Sequence, residues 1–152
     1  MMSSGTSNSF RLRGGRTCRC ASVSNELETK DRSMGQKLTK LRSTKYAAQK
    51  GLCYYCRQPM WVKDGIAFCK IHRLSARFAA RLQCTAEHLV ARCDGGHDGA
   101  DNIVAACLFC NRTRHLAKSP LSSDRYGLRV RGRLLVGKWH GFIAPTRQKN
   151  AS

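Results

Sequence analysis

Two Cys-x-x-Cys pairs restrict the fold of this chain more than any other feature. The first pair is Cys53 and Cys56, and the second is Cys107 and Cys110. Each pair presents two thiolates to one metal ion, and the two pairs together complete the tetrahedron of ligands that zinc prefers. Metal binding at such a site contributes directly to the free energy of folding. The sequence therefore predicts a structural zinc, and the alternative is four buried, reduced cysteines.

The charge of the chain favours a polyanionic partner. Its 152 residues include 28 Lys and Arg against 9 Asp and Glu, a formal net charge of +19. Bound Lys and Arg side chains displace counterions from phosphates, which makes nucleic acid the expected partner. A ribosome-associated or membrane-surface protein shares this composition, so charge alone does not decide. The length fits one domain with tails, and the 7% aromatic content argues against a large sandwich or barrel.

The N-terminal residues and the number of cysteines indicate reduced thiols. Residues 1–16 contain no apolar stretch of the kind found in signal peptides, and the nine cysteines are odd in number. No apolar run approaches the length that spans a bilayer. We therefore expect a cytoplasmic protein with no membrane contact, and the short basic chain favours a bacterial or phage-encoded product.

Residues 1–34 are polar and rich in Ser and Arg, which predicts a disordered basic tail. The spacing of apolar residues predicts a helix over 36–50, and Gly51 is a normal stop after it. At the other end, residues 119–152 form a predicted basic extension. Alternation in Leu128-Arg129-Val130-Arg131 and the apolar run over 134–136 predict one or two strands there.

Residues 59–83 are predicted to form an insertion. Asp64-Gly65 lies between short apolar runs, which predicts a hairpin. A basic amphipathic helix is predicted to follow it, with Arg73, Arg77 and Arg81 along one face. That face can be simply solvated or can follow a phosphate backbone.

The segment between the two cysteine pairs ends in a strand, a loop, a strand and a helix. The predicted strands cover 84–90 and 102–106, and Gly-rich residues 92–101 separate them. The helix runs over 108–118, and Ser119-Pro120 ends it. This order is that of a ββα-metal motif.

Four short segments carry a family resemblance. They are Cys84-Thr85-Ala86-Glu87-His88-Leu89-Val90, then Gly95-Gly96, and then Asn102 to Cys107 followed by Cys110-Asn111-Arg112. In this order they resemble the HNH endonuclease family, in the subgroup with paired zinc knuckles. The resemblance implies a small α+β fold with a ββα-metal core, of the His-Me finger or treble-clef-like type, over residues 35–118.

The resemblance also implies roles for individual residues in cutting phosphodiester bonds of DNA, with double-stranded DNA expected. His88 would be the general base, because a neutral imidazole can accept a proton from water. Glu87 and Asn111 would hold Mg²⁺ or Mn²⁺, which prefer oxygen ligands. Asn102 would brace the loop between the strands and so aim His88. His115 follows Asn111 by one helical turn and is a possible further ligand.

Three arginines are expected to contact the scissile phosphate, namely Arg92, Arg112 and Arg114. In one place the chain departs from the commonest family pattern, because Glu87 stands where Asp is more usual. The extra methylene changes the reach of the carboxylate, so the base is better defined than the metal geometry. Nicking and double-strand cutting both stay open.

The alternative function is a catalytically inactive, zinc-stabilised module that binds nucleic acid. A degraded nuclease is expected to lose Glu87, His88 or Asn111, and all three are present. A zinc deaminase needs a His-x-Glu motif and Pro before its second cysteine pair, and neither occurs here. No organic cofactor is expected, and the sequence leaves the oligomeric state open.

Overall fold

The computed structural model describes the backbone of residues 26–144 and the side chains of residues 35–144. It is a small α+β fold, as the sequence predicts, and the described range contains five α-helices and one two-stranded sheet. No helix in this range is long and apolar enough to cross a membrane. The elements are α1 (Glu26–Ala48), α2 (Gly65–His72), α3 (Ala76–Arg81), β1 (Cys84–His88), β2 (Ile103–Cys107), α4 (Leu108–His115) and α5 (Ser123–Leu135).

Helix α1 is the longest element and lies against the sheet. It begins at Glu26 rather than at residue 36, so part of the segment predicted as a tail is helical. Residues 1–25 of that predicted tail lie outside the described residues. Beyond its end, the Gln49 amide accepts from Ala105 N and donates to Ala105 O, at 2.9 and 2.8 Å. Gln49 thus bonds β2 as a neighbouring strand would, and it fixes the helix to the sheet.

The hairpin predicted at Asp64-Gly65 is wrong, because these residues begin a helix. The Asp64 carboxylate accepts a hydrogen bond from Ala67 N at 2.8 Å and caps α2. An Asp at this position satisfies an N–H that has no partner within the helix. Trp61 instead bridges to Gln83, beside the start of β1. The Asp-Gly signal was therefore that of a helix cap rather than of a turn between strands.

The single basic helix predicted after it is also wrong, because the chain breaks there into α2 and α3. Arg73 has a φ of +51° and ends α2, and Ser75 caps α3 through Phe78 N. The three arginines predicted along one helical face are therefore divided: Arg73 lies between the helices, whereas Arg77 and Arg81 lie in α3. Arg81 points inward, donates to His140 O at 2.9 Å and lies over the Phe109 ring at 5.2 Å. Packing of this guanidinium excludes it from a solvated or phosphate-tracking face.

The predicted ββα segment is confirmed. Strands β1 and β2 pair antiparallel, with Cys84 opposite Cys107 and His88 opposite Ile103. Every residue of β2 is buried, whereas β1 buries only Cys84 and Glu87. Helix α4 follows β2 without a loop and ends at His115 rather than at residue 118. The motif is therefore a short ribbon with a helix folded directly onto it.

The strands predicted in the C-terminal extension are wrong, because this segment is helix α5. Tyr126 and Val130 are buried and stand one helical turn apart, whereas Leu128 between them is 64% exposed. Burial thus follows a period of four residues rather than two. The Tyr126 hydroxyl donates to Cys110 O at 2.7 Å. The part of the predicted extension that forms α5 therefore packs against the folded domain, and residues 145–152 lie outside the described residues.

This packing predicts unequal effects of two alanine substitutions on α5. Val130→Ala should lower the free energy of unfolding by about 2 kcal/mol, because it leaves a cavity in the core. Leu128→Ala removes an exposed side chain and should change it by less than about 0.5 kcal/mol. Urea denaturation of both variants checks this, and equal effects would contradict the position of α5.

Candidate functional site

Four cysteines from the two ends of the motif meet in the core. The sulfurs of Cys53, Cys56, Cys107 and Cys110 lie within 4.8 Å of one another, and all four residues are buried. The Sγ atoms of Cys56 and Cys107 are 3.8 Å apart. Two ligands placed tetrahedrally at about 2.3 Å from a zinc ion are about 3.8 Å apart, whereas a disulfide needs about 2.05 Å. The cluster therefore fits a four-sulfur zinc site.

Backbone N–H groups point at these sulfurs. Cys107 N donates to Cys53 Sγ at 3.3 Å, and Cys110 N donates to Cys107 Sγ at 3.5 Å. Cys107 is also the N-cap of α4, so the positive end of this helix faces the cluster. Both effects stabilise negative charge on sulfur. The backbone therefore offers hydrogen-bond donors to the thiolates that a zinc site needs.

Two side chains from the C-terminal segment close the cluster. Trp139 Nε1 donates to Cys110 Sγ at 3.3 Å, and His140 Nε2 lies 3.3 Å from Cys56 Sγ. Burial lowers the pKa of His140 to about 4, so its ring is neutral near pH 7. Neither residue could be predicted from the sequence, because a Trp-His pair in a basic tail has no spacing that links it to distant cysteines.

Glu87 lies at the centre of a cluster of polar side chains between β1 and α4, separate from the four sulfurs. Its side chain is only 1% exposed and forms an ion pair with Arg114 through Oε1. The Tyr55 hydroxyl, from the first cysteine pair, donates to the same oxygen at 3.0 Å. Burial and the negative charge of Glu87 raise the pKa of Tyr55 far above its usual value, which keeps this hydroxyl protonated. The other oxygen, Oε2, is 3.1 Å from His115 Nε2.

Asn111 and His115 face β1 from one side of α4. Asn111 Nδ2 donates to Thr85 Oγ1 at 3.0 Å and to Ala86 O at 3.2 Å, which leaves its amide oxygen without a hydrogen bond among the described residues. Thr85 and Glu87 share a face of the strand, and Asn111 and His115 share a face of the helix. The structure thus brings Glu87, Asn111 and His115 to one strand–helix junction.

The spacing of Glu87 and His115 suits shared coordination. Two adjacent ligands of an octahedral ion, each about 2.1 Å from it, lie about 3.0 Å apart. The observed separation of 3.1 Å between Oε2 and Nε2 is close to that value. A carboxylate oxygen, an amide oxygen and an imidazole nitrogen form a donor set that Mg²⁺ or Mn²⁺ can use, and the imidazole favours Mn²⁺.

His88 is the last residue of β1, beside Glu87 but bonded elsewhere. Its Nε2 lies 2.8 Å from Asp98 Oδ1, in the loop between the strands. Arg92 holds the same carboxylate through two contacts, Nε to Oδ1 at 3.0 Å and a terminal nitrogen to Oδ2 at 2.6 Å. The hydrogen bond from His88, followed by those from Arg92, lowers the pKa of Asp98. No motif in the sequence singles out Asp98, which is one acid in a Gly-rich loop.

Asn102 fixes both ends of this loop. Its side-chain oxygen accepts from Val90 N at 2.8 Å, and its amide nitrogen donates to the carbonyls of Val90 and His97. Gly96 is needed at the tightest point, since a Cβ there would lie 1.9 Å from Val90 O. This is the bracing position that the sequence predicts for Asn102.

The three predicted phosphate-binding arginines occupy different surroundings. Arg112 is exposed, and Arg92 is half-exposed although it is paired with Asp98. Arg114 is only 5% exposed, and besides Glu87 its guanidinium bonds three carbonyl oxygens, those of His88, Leu89 and Leu121. The prediction of a phosphate contact is therefore corrected for Arg114, which connects the end of β1 to α4.

A family model supports the relationship expected from the motif. Residues 68–116 match the model of the HNH endonuclease family. This segment of the chain is therefore similar to HNH endonuclease domains. The matched segment contains β1, the loop, β2 and α4, and with them Glu87, His88, Asp98, Asn111, Arg114 and His115. Comparisons with curated proteins and with solved structures gave no match.

The first cysteine pair and α5 lie outside the matched segment, yet both contact it. Tyr55 reaches Glu87 from the first pair, and Tyr126 reaches Cys110 from α5. The two tyrosine rings also pack edge to face, with centroids 4.8 Å apart. The segment that matches the family model is therefore contacted on two sides by residues that lie outside the match.

The sulfur cluster predicts that stability depends on zinc. The purified protein should contain stoichiometric zinc, and Cys107→Ser should lose both the metal and cooperative thermal unfolding, because binding and folding are coupled. Cys93→Ser is the matched control, since Cys93 is exposed and outside the cluster. Metal analysis and calorimetry measure both properties. Full zinc content and unchanged melting in Cys107→Ser would exclude the site.

The Tyr55 contact makes a separate prediction. Tyr55→Phe should destabilise the fold by about 2 kcal/mol, because it removes a hydrogen bond to a buried carboxylate. Tyr54→Phe is the control, as the Tyr54 hydroxyl makes no hydrogen bond among the described residues. Urea denaturation should separate the two variants, and equal stability would refute the role of the hydroxyl.

Proposed function

We propose that this protein is a metal-dependent endonuclease that hydrolyses phosphodiester bonds in DNA. The observation that carries the proposal is the end of β1 at His88. Glu87 faces α4, where Asn111 and His115 lie, and the next residue turns towards the loop. The carboxylate of Glu87, which faces α4, and the candidate base His88 thus lie next to each other at one end of the two-stranded ribbon.

Glu87, Asn111 and His115 would hold the divalent ion. Glu87 Oε1 is engaged by Tyr55 and Arg114, which leaves Oε2 as the ligand atom. The guanidinium of Arg114 prevents rotation of the carboxylate, so the buried charge is paired and its direction fixed. When bound, the ion would offset the negative charge that develops on the phosphate and the leaving oxygen.

His88 would act as the general base. It would take a proton from the attacking water, whose oxygen then forms the new bond to phosphorus as the bond to the leaving oxygen breaks. Arg112 is exposed on α4 next to Asn111 and is the better placed of the predicted arginines to bind a phosphate oxygen. The net charge of +19 favours the approach of a DNA backbone, double-stranded DNA being the expected form.

The second candidate is a zinc-stabilised module that binds nucleic acid without cutting it. The buried charge of Glu87 argues for the nuclease, because burying an ion is costly and binding phosphates needs no buried carboxylate. The basic surface is common to both functions. Cleavage that depends on Mg²⁺ or Mn²⁺ therefore separates them.

The test uses zinc-loaded, full-length protein and supercoiled plasmid. With Mg²⁺ or Mn²⁺ the protein should produce nicked or linear DNA, and His88→Ala should slow this by roughly 100-fold or more, as expected for loss of a general base. His97→Ala is the matched control, because His97 lies in the same loop and is exposed. Equal cleavage by the parent and His88→Ala would refute the assigned base. Binding without cleavage in any divalent ion would favour the second candidate.

A further inference from the structure

The loop between β1 and β2 holds a carboxylate against the proposed base. Asp98 is largely buried, with 14% of its side chain exposed, and its Oδ1 lies 2.8 Å from His88 Nε2. An ionised carboxylate can only accept hydrogen bonds. The imidazole nitrogen that faces Asp98 must therefore carry the proton.

We propose that Asp98 is the positioning residue for His88, fixing the proton on Nε2 and leaving Nδ1 as the atom that accepts a proton from water. This inference depends on the proposed nuclease function, to which it adds the tautomer of the base and the group that sets it. The hydrogen bond made by one ring nitrogen determines the protonation of the other. Asp98 also fixes the rotation of the ring about its side-chain bonds.

The proton transfer can be followed atom by atom. Nδ1 takes a proton from water, and the water oxygen forms its bond to phosphorus while the bond from phosphorus to the leaving oxygen breaks. The leaving oxygen takes a proton from solvent. His88 is then positively charged, and the carboxylate of Asp98 beside Nε2 stabilises that charge, as in a catalytic triad.

Arg92 determines the orientation of Asp98. Its two contacts use both carboxylate oxygens, at 3.0 and 2.6 Å, so the carboxylate plane is held while Oδ1 faces His88. Asn102 holds the same loop at His97, next to Asp98. We therefore assign Arg92 to the alignment of the base through Asp98, in place of the phosphate contact expected from the sequence.

The substitution Asp98→Asn exploits this geometry. Arg92 donates to both carboxylate oxygens, so an amide nitrogen in either position would face one of its N–H groups. The contact to Oδ2 is the shorter at 2.6 Å, so the amide oxygen should keep that position and the 3.0 Å contact of Arg92 Nε is lost. The amide nitrogen then faces His88 and donates to Nε2, which moves the ring proton to Nδ1. The variant keeps the size and shape of the side chain but gives the base the wrong tautomer.

Nitrogen NMR of zinc-loaded, full-length protein near pH 8 reads the tautomer without any nuclease assay. The chain has 5 histidines, and the signals lost in His88→Ala identify the ring. We expect a proton on Nε2 and a bare Nδ1 in the parent, and a shift of the proton towards Nδ1 in Asp98→Asn. A proton on Nδ1 in the parent, a doubly protonated ring, or no change in the variant would overturn the proposal.

Plasmid cleavage then tests the consequence for catalysis. Asp98→Asn should lower kcat by roughly 10- to 100-fold, as for other groups that orient a ligand or base, with little change in KM. Asp101→Asn is the matched control, because Asp101 lies in the same loop and its side chain is 78% exposed. Unchanged kcat in Asp98→Asn, with melting temperature and zinc content as in the parent, would overturn the role of Asp98. A parent with the expected tautomer but no cleavage would refute the nuclease function alone.

Discussion

The meeting of four thiols at the junction of β2 and α4 is the constraint on which the rest of the structure depends. Cys107 is at once the last residue of β2, the N-cap of α4 and a member of the sulfur cluster. One residue therefore fixes where the strand ends, where the helix begins and how the helix lies on the ribbon. Because Asn111 and His115 are on that helix, their distance from β1 is set by the same cluster.

The polar side chains around Glu87 are connected to the sulfur cluster by a short chain of contacts. Tyr55, inside the first cysteine pair, donates to Glu87, and Arg114 joins Glu87 to the carbonyls at the end of β1. A charged group as buried as Glu87 is tolerated only where its lone pairs are satisfied. The same contacts that satisfy Glu87 also fix its direction, so folding stability and geometry of the proposed metal site share one set of residues.

The sequence predicted those parts of the fold whose defining residues lie close together in the chain. The paired cysteines and the two strands lie in short motifs and are confirmed, whereas the catalytic roles of Glu87, His88 and Asn111 stay predictions. The sequence-based prediction was wrong where one pattern fits two structures. At Asp64 the carboxylate caps a helix and does not make a turn between strands. On α5 the alternation over four residues predicted a strand, although the buried residues follow a helical period. Asp98 contacts His88, 10 residues away, through the path of an irregular loop, whereas His140 contacts Cys56, 84 residues away. No spacing in the chain reveals either contact.

A crystal of the zinc-loaded protein soaked in Mn²⁺ would test the central claim most directly, because anomalous scattering distinguishes the two metals by absorption edge. The account predicts a zinc peak among the four cysteine sulfurs and a separate manganese peak within bonding distance of Glu87 Oε2, Asn111 and His115. A manganese peak elsewhere, or none at saturating Mn²⁺, would contradict the proposed nuclease centre. Sulfurs without a zinc peak would contradict the basis of the fold.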